Sequence, residues 1–341
     1  MNGRSRNFGI LILAVTSWIS AGGQTGKDEP TTIRVDSSLV LVDVIAENAK
    51  TALHTRALMT DLKQEDFQIF DNGHEMPISS FDIGADHATR PIALWLIVQC
   101  EQPLPVDWHS QFMQGKTSML RPALDHLGSN DAVGVAHWCD DGKAVIDLQP
   151  GNDPDAALAK VEEVLAQKAI LGENRAGELA MQKMIRLVLK NTHETTPARL
   201  PIFLFLYGDH CATETNEANA ILRDLLETSG LAFGINNGGW YFDSRLLEGG
   251  GQTRYLVHYY SIETGGEVYS AIDPKLFSNA LDYILTQLHL RYTIGFKPPK
   301  LDGKRHALKV ELTPEARKRL PGAELRYRPE YVPVAVPESF R

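Results

Sequence analysis

No run of lysine and arginine in the sequence is longer than the three residues Arg317-Lys318-Arg319, and acidic residues outnumber basic ones 43 to 34, for a net charge of -9. A mildly acidic chain without a basic cluster has no electrostatic footprint for nucleic acid. After the first two dozen residues no stretch is long and apolar enough to cross a bilayer. Internal repeats and low-complexity linkers are missing too, which argues against a solenoid or an array. Cysteine is scarce, with three residues and no Cys-x-x-Cys pair, so the common zinc and dithiol spacings are not present. The run Gly249-Gly250-Gly251 is not followed by Gly-Lys-Ser/Thr and is no phosphate loop.

What is present is ordinary for a globular protein: 43% apolar and 23% charged residues in 341. That length implies one or two domains with a sizeable core. The first 23 residues read as a targeting segment. Arg4 and Arg6 form a basic start, Gly9 to Ile19 an apolar core too short to span a bilayer, and Ser20-Ala21-Gly22-Gly23 a small-residue cleavage site. Cleavage near Gln24 removes two positive charges, and no cysteine follows the apolar core to take a lipid anchor. An uncleaved anchor is the alternative. The expected location is periplasmic or extracellular, where disulfides persist.

Three zones differ in periodicity. From Thr31 to about Gly84 apolar residues roughly alternate, as at Ile33, Val35, Leu39 and Leu41. Asp66 to Phe70 and Pro77 to Phe81 flank Asp71-Asn72-Gly73, a hairpin signal. The central zone alternates strands and helices. Strands are expected at Pro91–Val98, Asp131–Trp138, Lys143–Leu148, Pro201–Tyr207, Leu231–Asn236 and Gly266–Ser270. Asp140-Asp141-Gly142 makes the second and third an antiparallel pair. Helices are expected from Asp153-Pro154, over Leu179–Leu189 and Glu217–Thr228, and from Asp273-Pro274. From Arg291 to Val332 strands return. Each flank is too small for a core of its own. The economical reading is a discontinuous β-domain, residues 31–86 with 291–333, carrying residues 88–290 as an insert.

The central pattern implies a doubly wound, mostly parallel sheet. Here the chain resembles the von Willebrand factor A domain, and more narrowly the exported bacterial proteins called VWFA-related, best known from Acidobacteria. The resemblance rests on the order and spacing of several pieces: Asp66 to Gly73 with Ile78 to Phe81, the strand at Pro91, Thr264-Gly265-Gly266, and Arg291 to Pro298. It implies a sheet whose first strand lies beside its fourth. It also implies a divalent-metal site on three loops above Val98 and Tyr207. In the family the first loop reads Asp-x-Ser-x-Ser; here those positions are Gln99, Glu101 and Pro103. The second loop offers Arg175 in a stretch without threonine, and the third has Tyr207 in the aspartate's place, followed by Gly208-Asp209. Magnesium needs near-octahedral oxygen ligands, and Arg175 would compete as a cation. The expected site is therefore degenerate, with no metal and no cofactor.

Cys100, Cys139 and Cys211 follow the first, second and fourth strands of that implied sheet. Parallel neighbours lie about 4.8 Å apart, inside the roughly 4.4–6.8 Å Cα span of a disulfide. Cys100–Cys211 is the preferred pair and Cys100–Cys139 the alternative. Other readings are a zinc site that adds His137 and His210, or three inert buried thiols. His109 and His126 read as solvated helix residues. Cys100 or Cys211 with His210 lacks any recognisable orienting group or oxyanion hole. Trp240, Tyr241 and Phe242 suggest a partner-binding loop after the fifth strand, or aromatics packed on the sheet. The functional expectation is an exported, non-enzymatic module that binds a protein partner without metal. The alternatives are a metal-dependent adhesion module using Glu101 and Asp209, a cysteine-dependent enzyme, and a purely structural envelope protein.

Overall fold

A computed structural model describes residues 39–48, 56–84, 91–100, 120–139, 141–165, 174–196, 199–207, 212–236, 253–271 and 274–334. The N-terminal flank supplies β1 (Val40–Asn48), β2 (Phe67–Asp71), β3 (His74–Met76) and β4 (Ile78–Ile83). The central zone begins with β5 (Ile92–Gln99), α1 (Arg121–Leu124), β6 (Ala132–Trp138), β7 (Ala144–Gly151), α2 (Pro154–Leu165) and α3 (Asn174–Thr195). It continues with β8 (Leu200–Tyr207), β9 (Ala212–Glu214), α4 (Thr215–Glu227), β10 (Leu231–Asn236), β11 (Thr253–Tyr255), α5 (Leu256–Thr264), β12 (Val268–Ser270) and α6 (Pro274–His289). The C-terminal flank adds β13 (Tyr292–Phe296), β14 (His306–Leu312), α7 (Pro314–Arg319), β15 (Ala323–Arg326) and β16 (Glu330–Tyr331). Among the described residues no helix is long and apolar enough to cross a membrane. The targeting segment lies outside them.

The six-stranded central sheet has the order β12-β10-β8-β5-β6-β7, parallel except for the β6–β7 pair. The first strand of the zone, β5, therefore lies beside the fourth, β8. A strand covered on both faces reads as a continuous apolar run, and β5 is buried throughout. Leu94, Leu96 and Val98 enter one core with α2 and α6, while Trp95 and Ile97 enter the other with α3, α4 and α5. The Trp95 indole N–H donates to Thr192 Oγ1 at 2.8 Å, so its one polar atom is satisfied inside that core. Asp153 caps α2 through the N–H of Ala156, as its position before Pro154 predicts.

The flanks form a β-sandwich. One sheet has the order β15-β1-β13-β4 and the other β16-β14-β2-β3, so each contains strands from both ends of the chain. Between them lie Val42, Val44, Phe67, Ile69, Tyr292 and Ile294, among others. Neither flank closes this core alone, and the α/β unit is an insert in it. The Asn72-Gly73 turn is real, with φ of 48° and 82°. Its hairpin is shorter than the sequence predicts, however: β2 pairs with His74–Met76. The chain then breaks at Pro77, and Ile78–Ile83 joins the opposite sheet against β13.

Two helices leave no periodic trace. In α5, Leu256, Val257, Tyr260, Ser261 and Thr264 are all buried, so it shows no single apolar stripe; Gly265 ends it at φ 88°. The six residues of α7 are too few for periodicity, although Thr313 caps them and Pro314 opens them.

Candidate functional site

In doubly wound sheets ligands meet the carboxyl ends of the strands at the switch in strand order, here between β5 and β8. Gln99 is in register with Trp138 on β6, and Tyr207 with Asn236 on β10. The β5–β8 register ends at Val98 and Leu206, which makes Gln99 and Tyr207 neighbours. Four adjacent strands thus end in a row of Trp138, Gln99, Tyr207 and Asn236. All four are buried, Gln99 and Tyr207 to 2% exposure each. Period-two alternation puts Gln99 on the Trp95 face and Asn236 on the Ala232 face, the side covered by α3, α4 and α5.

Every member of this row is neutral. Gln99 and Tyr207 stand where the resemblance puts metal-binding aspartates, and neither carries the charge a hard divalent cation requires. A Cβ on Gly234 would lie 3.1 Å from Tyr207 Cε1 and 2.6 Å from Val257 Cγ1, so the ring lies across β10 in the space that glycine leaves. The Trp138 indole N–H has no hydrogen-bond partner among the described residues.

Beside this row, Cys100 and Cys139 form a disulfide with Cα atoms 5.2 Å apart. The preferred pairing of Cys100 with Cys211 is therefore corrected to the alternative. The β5–β6 ladder explains the outcome: the Cys100 N–H donates to Trp138 O at 3.0 Å, which carries the strand register one residue past each strand. Cys211, in contrast, comes four residues after β8 ends. On the far side, the Cys139 N–H donates to Lys143 O and its carbonyl accepts from Gly142, so the tight turn into β7 holds Cys139 in place.

His137 is committed elsewhere, with Nδ1 2.7 Å from Asp147 Oδ2 and both side chains largely buried. With the two cysteines bonded to each other, the zinc reading loses three of its ligands. His126 is exposed and meets Asp282 at 2.8 Å. Arg175 lies in the first turn of α3, which starts at Asn174, well before Leu179. Glu101, Pro103, His109, Asp209, His210, Cys211 and the loop of Trp240, Tyr241 and Phe242 lie outside the described residues.

A second polar centre was not legible in sequence, at the opposite end of β5. Asp131 accepts hydrogen bonds from the N–H groups of Ile92 (2.8 Å) and Gly128 (2.7 Å), and lies 3.3 Å from His289 Nε2. Burial opposes its ionisation, but the bonds from His289 and the two amides outweigh that and hold its pKa below the usual carboxylate value. It fastens the start of β5 to β6 and to the end of α6.

No protein-family model matches the chain. No curated protein matches it significantly. Among solved structures it is similar to a von Willebrand factor type A protein from Catenulispora acidiphila, with 12% identity, 80% of this chain and 75% of that one covered, and a TM-score of 0.41. It is similar also to the PilB minor pilin from Streptococcus sanguinis, with 11% identity, 63% of each chain and a TM-score of 0.38. BatB from Bacteroides thetaiotaomicron gives 13% identity, 58% of this chain and 98% of that one, and a TM-score of 0.37.

Proposed function

We propose that this is an exported, non-enzymatic protein-binding or assembly module of the VWFA-related type, whose A-like crest meets a protein partner without a bridging metal. The observation that carries the reading is the neutral row at the carboxyl ends of β5 and β8. Gln99 and Tyr207 are the residues that the resemblance matches to two aspartates, and the Cys100–Cys139 disulfide ties the end of β5 to the end of β6. A disulfide at this place fits an oxidising compartment, as does the leader-like start of the sequence. The loops that follow the crest strands, including Trp240 to Phe242, are its candidate contact segments.

The test is capture from the native envelope fraction by the tagged mature chain, with and without EDTA, together with thermal melts in added magnesium. Capture that survives EDTA, with a melting temperature unmoved by magnesium, supports the reading. Capture lost in EDTA and restored by magnesium overturns it in favour of an adhesion module that uses Glu101 and Asp209.

A further inference from the structure

Away from the crest, a cleft of about 580 Å³ opens where the α/β unit meets the outer face of the sandwich. That volume is in the range of sites that hold a ligand. One wall is the free edge of the central sheet. Among the described strands β12 pairs with β10 alone. The Glu267 carbonyl accepts from Gly234 N–H at 3.0 Å. Successive residues of a strand turn their backbone groups to opposite sides, so the N–H and C=O of Val268 point away from β10, and Val268 lines the cleft.

The other surfaces add side-chain character. Ile262 of α5 is 49% exposed and lines the cleft with Leu325, Tyr327 and Pro329. The charges are asymmetric: three carboxylates, Glu47, Glu267 and Glu324, face two guanidinium groups, Arg56 and Arg326. Two carboxylates are occupied. Glu47 accepts from Arg56 at 2.7 Å and from the Tyr283 hydroxyl at 3.1 Å, and Glu267 from Arg326 at 2.6 Å and the Tyr269 hydroxyl at 2.8 Å. Glu324 is the least tightly held, 59% exposed and paired at 3.6 Å with an Arg56 that it shares with Glu47.

An unpaired edge recruits an added strand through its backbone, with side-chain pockets selecting the sequence. We propose that this cleft takes an extended peptide segment of a partner protein, paired to β12 through Val268, with an apolar side chain against Ile262 and a lysine or arginine on Glu324. A backbone satisfies the open N–H and C=O together, and one cation balances the excess carboxylate.

The probe is the capped peptide acetyl-Thr-Val-Lys-Val-Thr-amide, titrated into the full chain and followed by calorimetry and amide chemical shifts. Saturable binding that moves the Val268 amide is expected. It should weaken at least about fivefold in Glu324→Lys, the size of an ion pair worth about 1 kcal/mol. Glutamate in place of the peptide's lysine should weaken it likewise, and backbone N-methylation of the peptide should abolish it. Glu324 is exposed, and an unchanged melting temperature confirms that the variant folds. No saturable binding at millimolar peptide, or binding indifferent to N-methylation and to both charge reversals, overturns the proposal. Either result leaves the crest reading untouched, because the peptide titration, the Val268 amide and Glu324 report on the cleft alone.

Discussion

Arg291 Nε donates to Asp43 Oδ1 at 2.9 Å, although 248 positions separate the two residues. Both side chains are 3% exposed. Arg291 also donates to Leu288 O at the end of α6, and Thr293 Oγ1 donates to the same Asp43 oxygen. This pair stands where the chain leaves the α/β unit and re-enters the sandwich, so it joins the end of the insert to β1. Ile45, two residues along β1, is part of an α/β core.

Removing one partner of a buried pair strands the other charge. Asp43→Ala is expected to lower stability by about 3–5 kcal/mol, read from the shift in urea midpoint. An Asp43→Leu/Arg291→Leu double variant should lose less than Asp43→Ala, because no charge is left unpaired. A double variant that loses as much or more would show that hydrogen bonds to Leu288 and Thr293, rather than the ion pair, dominate here.

With Cys100 and Cys139 paired, denatured but unreduced protein should titrate one thiol, and alkylation should map it to Cys211. Finding the label on Cys139 would restore the other pairing. The bridge closes a loop of 39 residues, for which chain entropy alone gives about 4 kcal/mol. The Cys100→Ser/Cys139→Ser variant should therefore unfold at clearly lower denaturant, while Cys211→Ser should not.

Gly234→Ala puts a methyl group within 3.1 Å of the Tyr207 ring and 2.6 Å of Val257. A loss of about 1–3 kcal/mol is expected from overpacking. Adding Val257→Ala should recover part of it, since the closer contact is then relieved. Without that recovery, the contacts at 3.1 Å with Tyr207 and Val268, and not Val257, set the limit.

Asp131 has a folded pKa below its unfolded value, so its contribution is fully present above the unfolded carboxylate pKa of about 4 and is lost as pH falls through the folded value. Stability should drop on acidification below about pH 4. Asp131→Asn should be less stable at pH 7, and its deficit should shrink in that acid window. A deficit constant with pH would mean that the side chain's shape, not its charge, matters.

Much of the α/β unit was legible because its signals are local. Ile92 to Val98 is an unbroken apolar run, as a strand covered on both faces must be, and Asp153-Pro154 carries its cap and first turn side by side. Leu256 to Thr264 was not legible, because burial around most of the helix erases the period that marks an amphipathic one. The Asn72-Gly73 turn was readable, but not which strand Ile78 to Ile83 would join; its partner, Tyr292 to Phe296, lies more than two hundred positions away.

The crest divides in the same way. The sequence by itself determined that Gln99 and Tyr207 carry no charge, because side-chain chemistry does not depend on the fold. Its strand pattern also put Cys100 and Cys139 just past the ends of β5 and β6. Only the tertiary structure decided that Cys100 meets Cys139, because the choice lay between two neighbours of β5 and rested on ladder register past the strand ends. It alone laid Tyr207 over Gly234 and brought the edge of β12 to face Glu324 across a cleft. Those relations join residues far apart in the chain. Their free energy arises from packing and pairing in three dimensions and leaves no pattern in any short window of sequence.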